Sequence, residues 1–437
     1  MRGLVAVILA ATASCGDGLE RVTTFEPASG TRLRVMWDLF SDGSRAWRSD
    51  AFYDAELHVG CVPRTWQDAS DRCVPAVDAA VYADAACIHA LGRSTSMLKQ
   101  TYFLAFDDGR PTALYRAGDA TTTPASYYLR SGGGCVGPIT TSDSATYYET
   151  TDEVAADSLV LIDEIRVGTA RLAARVRTGS DGTRVPLALV DSEFGRDCQV
   201  IARDDGSAAC EPLDAPLADA FADAACGEPA LVTPAGASAP PIAKVAAPCA
   251  EYHSVGGELA TAYRRDRGAC VALLPANVRF FALGAAVEPA PVERIVETTA
   301  GRRLERAIAS DPGLAIAAAL VDTATHAECT RVVIDEVTRC IPADMLPALD
   351  AYAAGCQQPL RIVAVPIRAC TRVAFATSNA DTFAIHAIGE PFTGTAYTFA
   401  SSGQCAPYTP PADVVLRTLG PPLPADTFLA AHAFGER

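Results

Sequence analysis

The sequence predicts an all-β fold built from three copies of one disulfide-stapled unit. Three observations support this: a pattern of aspartate, cysteine and proline that occurs three times, an Asp-Gly type turn near the start of each copy, and a strand–turn–strand motif that occurs twice in each copy. Together they predict about 24 strands, which fill six four-stranded blades and leave few exposed sheet edges. We therefore predict a six-bladed β-propeller with two blades per repeat; the alternative is three tandem β-domains.

The repeat is defined by an aspartate, a cysteine seven residues later, a Cys-x-Pro about a dozen residues further on, and another cysteine. The members are Asp54, Cys61, Cys73, Pro75 and Cys87 in the first copy, Asp191, Cys198, Cys210, Pro212 and Cys226 in the second, and Asp322, Cys329, Cys340, Pro342 and Cys356 in the third. Agreement at so many positions marks a threefold internal repeat. We place the repeats at residues 30–165, 166–298 and 299–437, after a tether at residues 16–29.

Each repeat opens with a predicted β-hairpin. In the first copy, residues 32–37 form one strand, Ser41-Asp42-Gly43 the turn, and residues 47–53 the returning strand. Glycine accepts the positive φ that such a turn demands, so an Asp-Gly pair between apolar segments is a strong hairpin signal. The corresponding turns are Ser180-Asp181-Gly182 and Ser310-Asp311-Pro312-Gly313.

The next hairpin of each repeat carries the first two cysteines. In the second copy the midpoint of Cys198 and Cys210 falls within a short Asp-Gly turn, at Asp204, so the two cysteines are predicted to face each other at disulfide distance. We pair Cys61 with Cys73, Cys198 with Cys210, and Cys329 with Cys340. A zinc site is the competing interpretation, but zinc-binding thiolates are usually about two to four residues apart.

The remaining cysteines are distributed unevenly among the repeats. We predict local bonds from Cys249 to Cys270 and from Cys356 to Cys370. Cys87, Cys135, Cys226 and Cys405 stay unassigned, with Cys87 to Cys135 as the favoured remaining bond. The alanine-rich segment before Cys87, Cys226 and Cys356 is predicted as strand and turn, because Pro216 and Pro347 just upstream disfavour a long helix.

The second half of each repeat contains two copies of the strand–turn–strand motif. An apolar residue lies four positions before a glycine and another follows seven to nine positions after it, as in residues 252–263 around Gly256 and 385–397 around Gly389. The proline-rich stretches at residues 233–241 and 406–424 are predicted as loops.

The N-terminus resembles an export signal. Arg2 is followed by an apolar run at residues 4–13, which is too short to span a bilayer as a helix. Thr12-Ala13-Ser14-Cys15 resembles a bacterial lipobox, and residues 11–13 also fit an ordinary cleavage site. Removing Cys15 from the 15 cysteines leaves an even number, so we predict a signal at residues 1–15 and lipidation of Cys15.

This N-terminus predicts an exported outer-membrane or cell-surface lipoprotein, held at the membrane by its lipid alone; a periplasmic or secreted soluble protein is the alternative. A net charge of −16 and a pI near 4.8 exclude nucleic acid as a partner, since binding phosphates requires a dense cationic surface. The chain has no recognisable nucleophile-elbow, zinc-protease, P-loop or dinucleotide motif. We predict no enzymatic activity, no cofactor and no metal site.

The repeated aspartates Asp54, Asp191 and Asp322 are the strongest polar candidates. One interpretation is a threefold ligand or ion site. The interpretation that we favour is structural: each carboxylate accepts backbone N–H groups at the turn before the cysteine hairpin, because scaffold residues are repeated whereas active sites are usually single. His253 and His386 occupy equivalent positions, and we interpret them as half-exposed strand residues.

Adjacent aromatic residues offer a candidate binding face. The pairs are Tyr127-Tyr128, Tyr147-Tyr148 and Phe280-Phe281. Because successive side chains of a strand point to opposite faces, one member of each pair is expected to point outward and stack on a sugar or a partner.

The lipobox-like start, the Asp-x₆-Cys spacing, the Cys-x-Pro and the Ala-Asp-Ala-Ala-Cys segments resemble uncharacterised cysteine-containing tandem-repeat lipoproteins of the myxobacterial type. The resemblance covers nearly the whole mature chain. It implies localisation and architecture, and it implies no activity.

The function predicted from these observations is a lipid-anchored β-repeat scaffold that binds a protein or a glycan at the cell envelope. The alternative is a propeller-type hydrolase or lyase with its site at a central channel. A scaffold predicts a regular threefold or sixfold surface, whereas an enzyme predicts that the symmetry breaks at one pocket.

Overall fold

The structure is a computed structural model, and it describes most of the chain after residue 23. The described residues are 24–96, 100–141, 144–168, 170–202, 207–245, 251–266, 269–274, 276–311, 314–343, 345–366, 375–378, 384–399, 403–410 and 414–435. Within these ranges the regular structure is β-strand, apart from two single-turn 3₁₀ helices at Ala156–Ser158 and Ala425–Thr427. Neither of these turns has the length or apolar character that crossing a bilayer requires. The all-β prediction is confirmed.

The strands recur in a similar order in the three repeats. Up to the end of the first repeat they are β1 (Thr24–Phe25), β2 (Leu33–Phe40), β3 (Arg45–Asp54), β4 (Val59–Thr65), β5 (Asp71–Pro75), β6 (Ala80–Tyr82), β7 (Ala90–Ser94), β8 (Tyr102–Asp107), β9 (Arg110–Thr121), β10 (Ser126–Ser131), β11 (Gly134–Thr140), β12 (Thr146–Val154) and β13 (Ile162–Val167).

The described residues of the second repeat form thirteen strands. They are β14 (Leu172–Gly179), β15 (Arg184–Asp191), β16 (Arg196–Ala202), β17 (Ala208–Pro212), β18 (Leu217–Ala218), β19 (Ala220–Phe221), β20 (Pro229–Pro234), β21 (Ile242–Val245), β22 (Glu251–Leu259), β23 (Ala262–Asp266), β24 (Ala269–Leu273), β25 (Val278–Ala286) and β26 (Ala290–Glu297).

The third repeat completes the set. Its strands are β27 (Leu304–Asp311), β28 (Leu314–Asp322), β29 (Ala327–Ile334), β30 (Val337–Pro342), β31 (Met345–Pro347), β32 (Ala351–Tyr352), β33 (Pro359–Leu360), β34 (Ile362–Pro366), β35 (Phe375–Ser378), β36 (Ala384–Pro391), β37 (Tyr397–Phe399), β38 (Cys405–Pro407), β39 (Val414–Pro422) and β40 (Ala430–Gly435).

The first four long strands of each repeat join one large sheet. Its lateral order is β13-β14-β15-β16-β17-β26-β27-β28-β29-β30-β40-β2-β3-β4-β5, with β1 pairing with β28 in addition. The two ends of this order approach each other, since the Cys73 N–H donates to the Val160 carbonyl at 3.0 Å and Arg72 forms an isolated bridge with Leu161. The sheet is therefore a nearly closed ring to which all three repeats contribute.

This ring corrects the propeller prediction. Propeller blades are separate sheets, whereas here strand pairing continues from each repeat into the next, through β13 with β14, β26 with β27, and β40 with β2. The structure does not show six four-stranded blades, and the shared ring also differs from three separate tandem domains. The expected number of strands was compatible with several arrangements, because a count does not specify which strands are neighbours.

The second half of each repeat forms additional sheets. In the first repeat they have the order β11-β10-β6-β7-β12-β9-β8, and in the second the order β18-β21-β22-β25-β20-β19-β23-β24. The third repeat has two smaller sheets, β31-β35-β36-β39-β34 and β33-β32-β37-β38. The predicted strand–turn–strand motif needs a correction, because its glycines do not form turns. They lie inside β9, β22, β25, β36 and β39, at register shifts between paired strands: Gly118, Gly256, Gly284, Gly389 and Gly420.

The hairpin disulfides are present in all three repeats. Cα atoms lie 5.3 Å apart in Cys61–Cys73, 5.1 Å in Cys198–Cys210 and 5.2 Å in Cys329–Cys340. The predicted facing geometry needs a correction, because Cys61 lies opposite Pro75, and Pro63 opposite Cys73. The bond is thus diagonal: cysteines two positions out of register still share one face of the hairpin.

The structure corrects two of the other cysteine pairings. The outer disulfides are Cys87–Cys135, Cys226–Cys270 and Cys356–Cys405, one per repeat. Cys270 is therefore bonded to Cys226 and not to Cys249, and Cys356 to Cys405 and not to Cys370; Cys249 and Cys370 lie outside the described residues.

The physical reason is strand pairing between distant segments. The strand before the first cysteine of each bond pairs with the hairpin that carries the second, as in Tyr82 opposite Tyr128 and Tyr352 opposite Tyr397. Proximity in sequence therefore misled the local assignments. The signal that identifies the correct partners is the glycine one or two residues before Cys135, Cys270 and Cys405 in every repeat.

Candidate binding site between the first and third repeats

The repeated aspartates have a structural role. Asp54, Asp191 and Asp322 are all buried, and each forms a two-nitrogen ion pair with an arginine of its own repeat. Asp54 Oδ1 also accepts the N–H groups of Glu56 at 3.0 Å and Leu57 at 3.1 Å. Equivalent bonds come from Glu193 to Asp191 and from Ala324 to Asp322. These contacts agree with the favoured structural interpretation.

The arginine partner was missed by sequence reasoning. Arg32, Arg171 and Arg303 each precede a leucine just before or at the start of the first long strand of the repeat, about 20 residues before the aspartate. Because a buried carboxylate normally requires a cationic partner, the recurring Arg-Leu was a usable signal. This Arg–Asp ion pair connects the beginning of each repeat to the end of its second long strand.

The Asp-Gly turns connect one repeat to another. Asp42 Oδ2 accepts the backbone N–H groups of Arg303 at 2.9 Å and Leu304 at 2.8 Å, so the first repeat is attached to the third. In the same way Asp181 Oδ2 accepts the N–H groups of Arg32 at 3.0 Å and Leu33 at 2.6 Å. Gly43 and Gly182 provide the positive φ, +84° and +93°, that presents each carboxylate.

These hydrogen bonds affect the acidity of both turn aspartates. Burial raises the pKa of the Asp42 carboxyl, but the N–H groups of Leu304, Ser44 and Arg303 and the Ser44 hydroxyl outweigh it and lower the pKa below its ordinary value. For Asp181, burial likewise raises the pKa, and the N–H of Leu33, the Thr183 side chain and the N–H of Arg32 bring it below the ordinary value. Both carboxylates are therefore stabilised in the charged form that joins the repeats.

The predicted aromatic face is mostly covered. Tyr147, Tyr148, Phe280 and Phe281 are all buried, while Tyr127 and Tyr128 are half-buried. Tyr148 packs 5.5 Å from Phe103, and Tyr147 joins a cluster with Val81 and Leu91 on the other face. The expectation of one outward member per pair is therefore wrong for the two buried pairs, because these outer sheets are packed on both faces.

The two equivalent histidines bond to the neighbouring strand. Their Nδ1 atoms lie 3.2 Å from the Gly284 carbonyl for His253 and 2.9 Å from the Gly420 carbonyl for His386. His253 is half-buried as expected, whereas His386 is buried. Within the described ranges, no group of three or more His, Cys, Asp or Glu side chains is arranged to hold a metal ion.

Each hairpin disulfide packs into an apolar cluster, and the clusters differ in size. The cluster containing Cys198 and Cys210 joins the second and third repeats through 13 buried residues, and the cluster of Cys61 and Cys73 has 9, including Val185 of the second repeat. The cluster of Cys340, which joins the first and third repeats, has 4 among the described residues. Among the described residues, the buried cluster at the first–third interface is therefore the smallest of the three.

Three equivalent positions explain this difference. Strand register aligns Arg331 with Val200 and Pro63, since each lies opposite the second hairpin cysteine. Register likewise aligns Ala46 with Ile316 and Val185, and Asp38 with Ala309 and Arg177. The first–third interface thus has alanine where the second–third interface has isoleucine, and an Asp–Arg pair where that interface has alanine and valine.

A cavity of about 370 Å³ lies at this interface. Its walls include strands of the first and third repeats, and the side chains that give it its character are two tryptophans, four arginines and two glutamates: Trp37, Trp47, Arg45, Arg302, Arg306, Arg331, Glu26 and Glu297. The volume falls within the range of small-molecule sites.

A second cavity of about 400 Å³ adjoins the first. Trp47, Ala317 and Arg331 line both cavities. The second cavity is also lined by Pro186 of the second repeat and by residues of the 13-residue cluster, among them Ile316, so it extends to the second–third interface. Trp47 Nε1 donates to the Pro186 carbonyl at 3.3 Å. The three repeats contribute equivalent positions to this region, namely Trp47, Pro186 and Ala317. Of these three side chains, only that of the first repeat is aromatic.

Ion pairs across the interface hold two of the cavity arginines. Arg331 Nη1 lies 2.5 Å from Asp38 Oδ2, and the Asp38 side chain is buried. Arg306 pairs with Glu26, which precedes the first repeat. Among the described residues, no partner is found for the exposed Arg302 guanidinium, which sits at the turn between β26 and β27.

The two tryptophans form one aromatic corner. Their rings meet edge to face with centroids 6.3 Å apart, and the Arg45 guanidinium lies 4.2 Å from the centre of the Trp37 ring. Trp37 is only 6% exposed, and within the described part of the chain its buried Nε1 has no hydrogen-bond partner.

None of these residues was singled out from the sequence as a site residue. The signal was present only in the comparison of repeats: two of the three tryptophans and the Asp38–Arg331 pair occur at positions that the other copies fill differently. Such positions cannot be aligned until strand register is known. The predicted lipidation site, Cys15, lies outside the described residues.

Comparison with known proteins places the chain in a family but identifies no activity. Neither a curated protein nor a solved structure matches it. A family model described as a family of unknown function (DUF7481) matches residues 7–428, which is nearly the whole chain. The resemblance to tandem-repeat lipoproteins of the myxobacterial type stays a prediction. The chain thus belongs to the family of unknown function DUF7481.

Proposed function

We propose that this protein is an exported, non-enzymatic binding scaffold, anchored through lipidated Cys15, that holds a protein or glycan of the cell envelope. The observation that carries the proposal is the broken symmetry of the ring: one of its three repeat interfaces contains a cavity lined by tryptophan and arginine. The adjoining cavity that extends to the second–third interface is lined mainly by apolar side chains, so the repeat interfaces differ in the chemistry of their lining.

Energetics support a binding role for this cavity. Only the Asp38 member of the Asp38–Arg331 ion pair is buried, since the Arg331 side chain is 36% exposed. Replacing an ion pair with well-packed apolar side chains is often neutral or stabilising, so stability alone gives little reason to keep Asp38 and Arg331. Departures from otherwise consistent packing are expected at functional sites. The second–third interface shows that this architecture accepts alanine and valine at the same two positions.

Broken symmetry at one pocket is also what we expect of the alternative hydrolase or lyase. The chemistry of the lining favours binding. Of its two glutamates, Glu26 is engaged with Arg306, which leaves Glu297 without the second carboxyl group that glycoside hydrolysis usually requires. Tryptophan and arginine are the residues most enriched where binding energy is concentrated.

The six disulfides of the described residues indicate an oxidising compartment, which agrees with export. The lipid anchor rests on Thr12-Ala13-Ser14-Cys15 alone. Metabolic labelling with a fatty-acid analogue in a bacterial host tests it: we expect label on the native chain and none on the Cys15→Ser variant. Equal labelling of both chains would contradict the anchor.

The binding function is tested with the exported, oxidised protein on a glycan array and in pull-downs from envelope extracts. We expect a ligand that the Asp38→Ala/Arg331→Val variant, which copies the second–third interface, no longer retains. Reducing-end release from a bound glycan would instead support the hydrolase or lyase. Absence of any retained glycan or protein would contradict the proposal.

A further inference from the structure

We propose that the cavity between the first and third repeats binds an acidic saccharide, with its arginines on the carboxylates and its tryptophan corner on a sugar ring. This inference rests on the proposed binding function and specifies the ligand class and the residues that recognise it.

The charge of the cavity is opposite to that of the chain. The protein carries a net charge of −16, yet the cavity lining contains four arginines and two glutamates, an excess of two positive charges that the Asp38 carboxylate beside Arg331 reduces to one. Arginine binds carboxylates through two parallel N–H bonds, and a partly enclosed site of one sign attracts ligands of the other. A cationic cavity in a strongly acidic protein therefore points to an anionic ligand.

Arg302 is the residue best placed to meet that anion. Its guanidinium lines the cavity, is exposed, and has no partner among the described residues, whereas Arg306 and Arg331 are engaged with Glu26 and Asp38. Glu297 at the same wall adds an acceptor suited to a sugar hydroxyl. This mixture fits a ligand with both carboxylates and hydroxyls better than a simple inorganic anion.

The tryptophan corner supplies the second half of the recognition. Trp37 and Trp47 are two of only three tryptophans in the chain, and both line this cavity. Trp47 is half-buried, so part of its ring remains available beside the Trp37 ring that Arg45 covers. Aromatic rings stack on the apolar faces of sugars while neighbouring polar groups bind the hydroxyls.

The volume limits what enters. A cavity of about 370 Å³ accepts one or a few sugar rings, and it suits the end or a short segment of a chain more than a folded protein surface. A protein ligand is the competing class, and the experiment below distinguishes it.

Isothermal titration of the exported, oxidised protein tests the inference with three probes at equal ionic strength: trigalacturonate, neutral maltotriose and sodium sulfate. We expect binding of trigalacturonate with a change in tryptophan fluorescence, weakening at higher salt, and no measurable binding of the other two. Arg302→Gln is expected to weaken trigalacturonate binding about tenfold or more, since it removes a charged two-point contact.

Two further variants complete the design. Trp47→Leu is expected to abolish the fluorescence change and weaken binding, and Arg110→Gln, an exposed arginine at an outer-sheet turn, is expected to bind as the native chain does. Arg302 is exposed and its described hydrogen bond is from the backbone N–H to Thr299, so the glutamine variant keeps the fold, as intact disulfides and circular dichroism will report.

Several outcomes would overturn the inference. Equal binding of maltotriose would show that charge does not determine binding. Equal binding of sulfate would show that the sugar ring does not contribute. Unchanged affinity in Arg302→Gln would show that the ligand does not bind at this cavity. If trigalacturonate fails while the pull-down retains a protein or a neutral glycan, the inference fails and the proposed function stands. If every probe and the pull-down are negative, both fail.

Discussion

The interface between the second and third repeats and the interface between the first and third are built from equivalent positions, yet they differ in chemistry. The former places Ile316, Ala309 and Val200 where the latter places Ala46, Asp38 and Arg331. Among the described residues, the former has a cluster of 13 buried residues beside a cavity with a mainly apolar lining, and the latter has a cluster of 4 beside a cavity lined by two tryptophans and four arginines. Closure of the ring thus requires contacts between neighbouring repeats, and these contacts are apolar at one interface and include an ion pair at the other.

Two of the described interfaces share one contact between repeats, which is formed by the aspartate of the Asp-Gly turn. Asp42 attaches the first repeat to the third, and Asp181 attaches the second to the first. Each carboxylate accepts the backbone N–H groups of the Arg-Leu pair that begins the neighbouring repeat. Because this contact is independent of the side chains further inside, an interface is able to lose apolar packing without losing its register.

The largest expected effect comes from breaking the ion pair. Arg331→Val leaves the buried Asp38 carboxylate without its partner and is expected to lower the free energy of unfolding by about 3 kcal/mol, toward the lower end for a buried pair because Arg331 is partly exposed. Urea unfolding of the oxidised protein measures this. An unchanged midpoint would show that the pair does not contribute to the first–third interface.

The next effect comes from opening the packed interface. Ile316→Ala places the residue of the first–third interface in the second–third cluster and is expected to lower stability by about 2–3 kcal/mol through lost burial and the void left behind. Ile165→Ala on the partly exposed strand β13 is the matched control, with an expected change below about 0.5 kcal/mol. Equal losses would contradict the difference in packing.

Low pH is expected to weaken the contacts between repeats that the turn aspartates form. The folded-state pKa of Asp42 lies below its ordinary value, so its contribution is present above the unfolded-state pKa of about 3.9 and is lost as pH falls through the folded-state pKa. Asp42→Asn is therefore expected to flatten the fall of unfolding free energy between about pH 5 and pH 3. Asp119→Asn, an exposed aspartate of the outer sheet, is the control and keeps the native slope.

The smallest expected effect comes from filling the cavity of the first–third interface with a larger apolar side chain. Ala46→Ile introduces the side chain of the packed interface into the hollow one and is expected to stabilise the protein by about 1 kcal/mol, as cavity filling commonly does. The same change reduces the volume open to a ligand, so trigalacturonate affinity is expected to fall while the melting temperature rises. A loss of stability would show that the cavity has no room for the side chain.

Sequence reasoning predicted the parts that are encoded locally. The turns at Asp42 and Asp181, the hairpin cysteine pairs and the N–H acceptor role of the three repeated aspartates follow from short-range spacing and turn chemistry, and these are found in the structure. The third predicted turn includes residues 312 and 313, which lie outside the described residues. The fact that these features recur in three copies made them easy to recognise.

What sequence reasoning missed depends on contacts between distant segments. The continuous ring replaces separate blades because β13, β26 and β40 pair across repeat boundaries, and Cys270 bonds to Cys226 because their strands are neighbours. The site was missed for the same reason: Asp38 and Arg331 are 293 residues apart, and only the ring brings them together.

The double variant Asp38→Ala/Arg331→Val tests the central claim most directly, because it converts the first–third interface to the residues of the second–third interface. We predict that its unfolding free energy equals or exceeds that of the native protein, although Arg331→Val alone is destabilised, and that ligand binding is lost. A double variant that is as unstable as the single one, or that binds the ligand with native affinity, would contradict the account of this interface as a binding site made at the expense of packing.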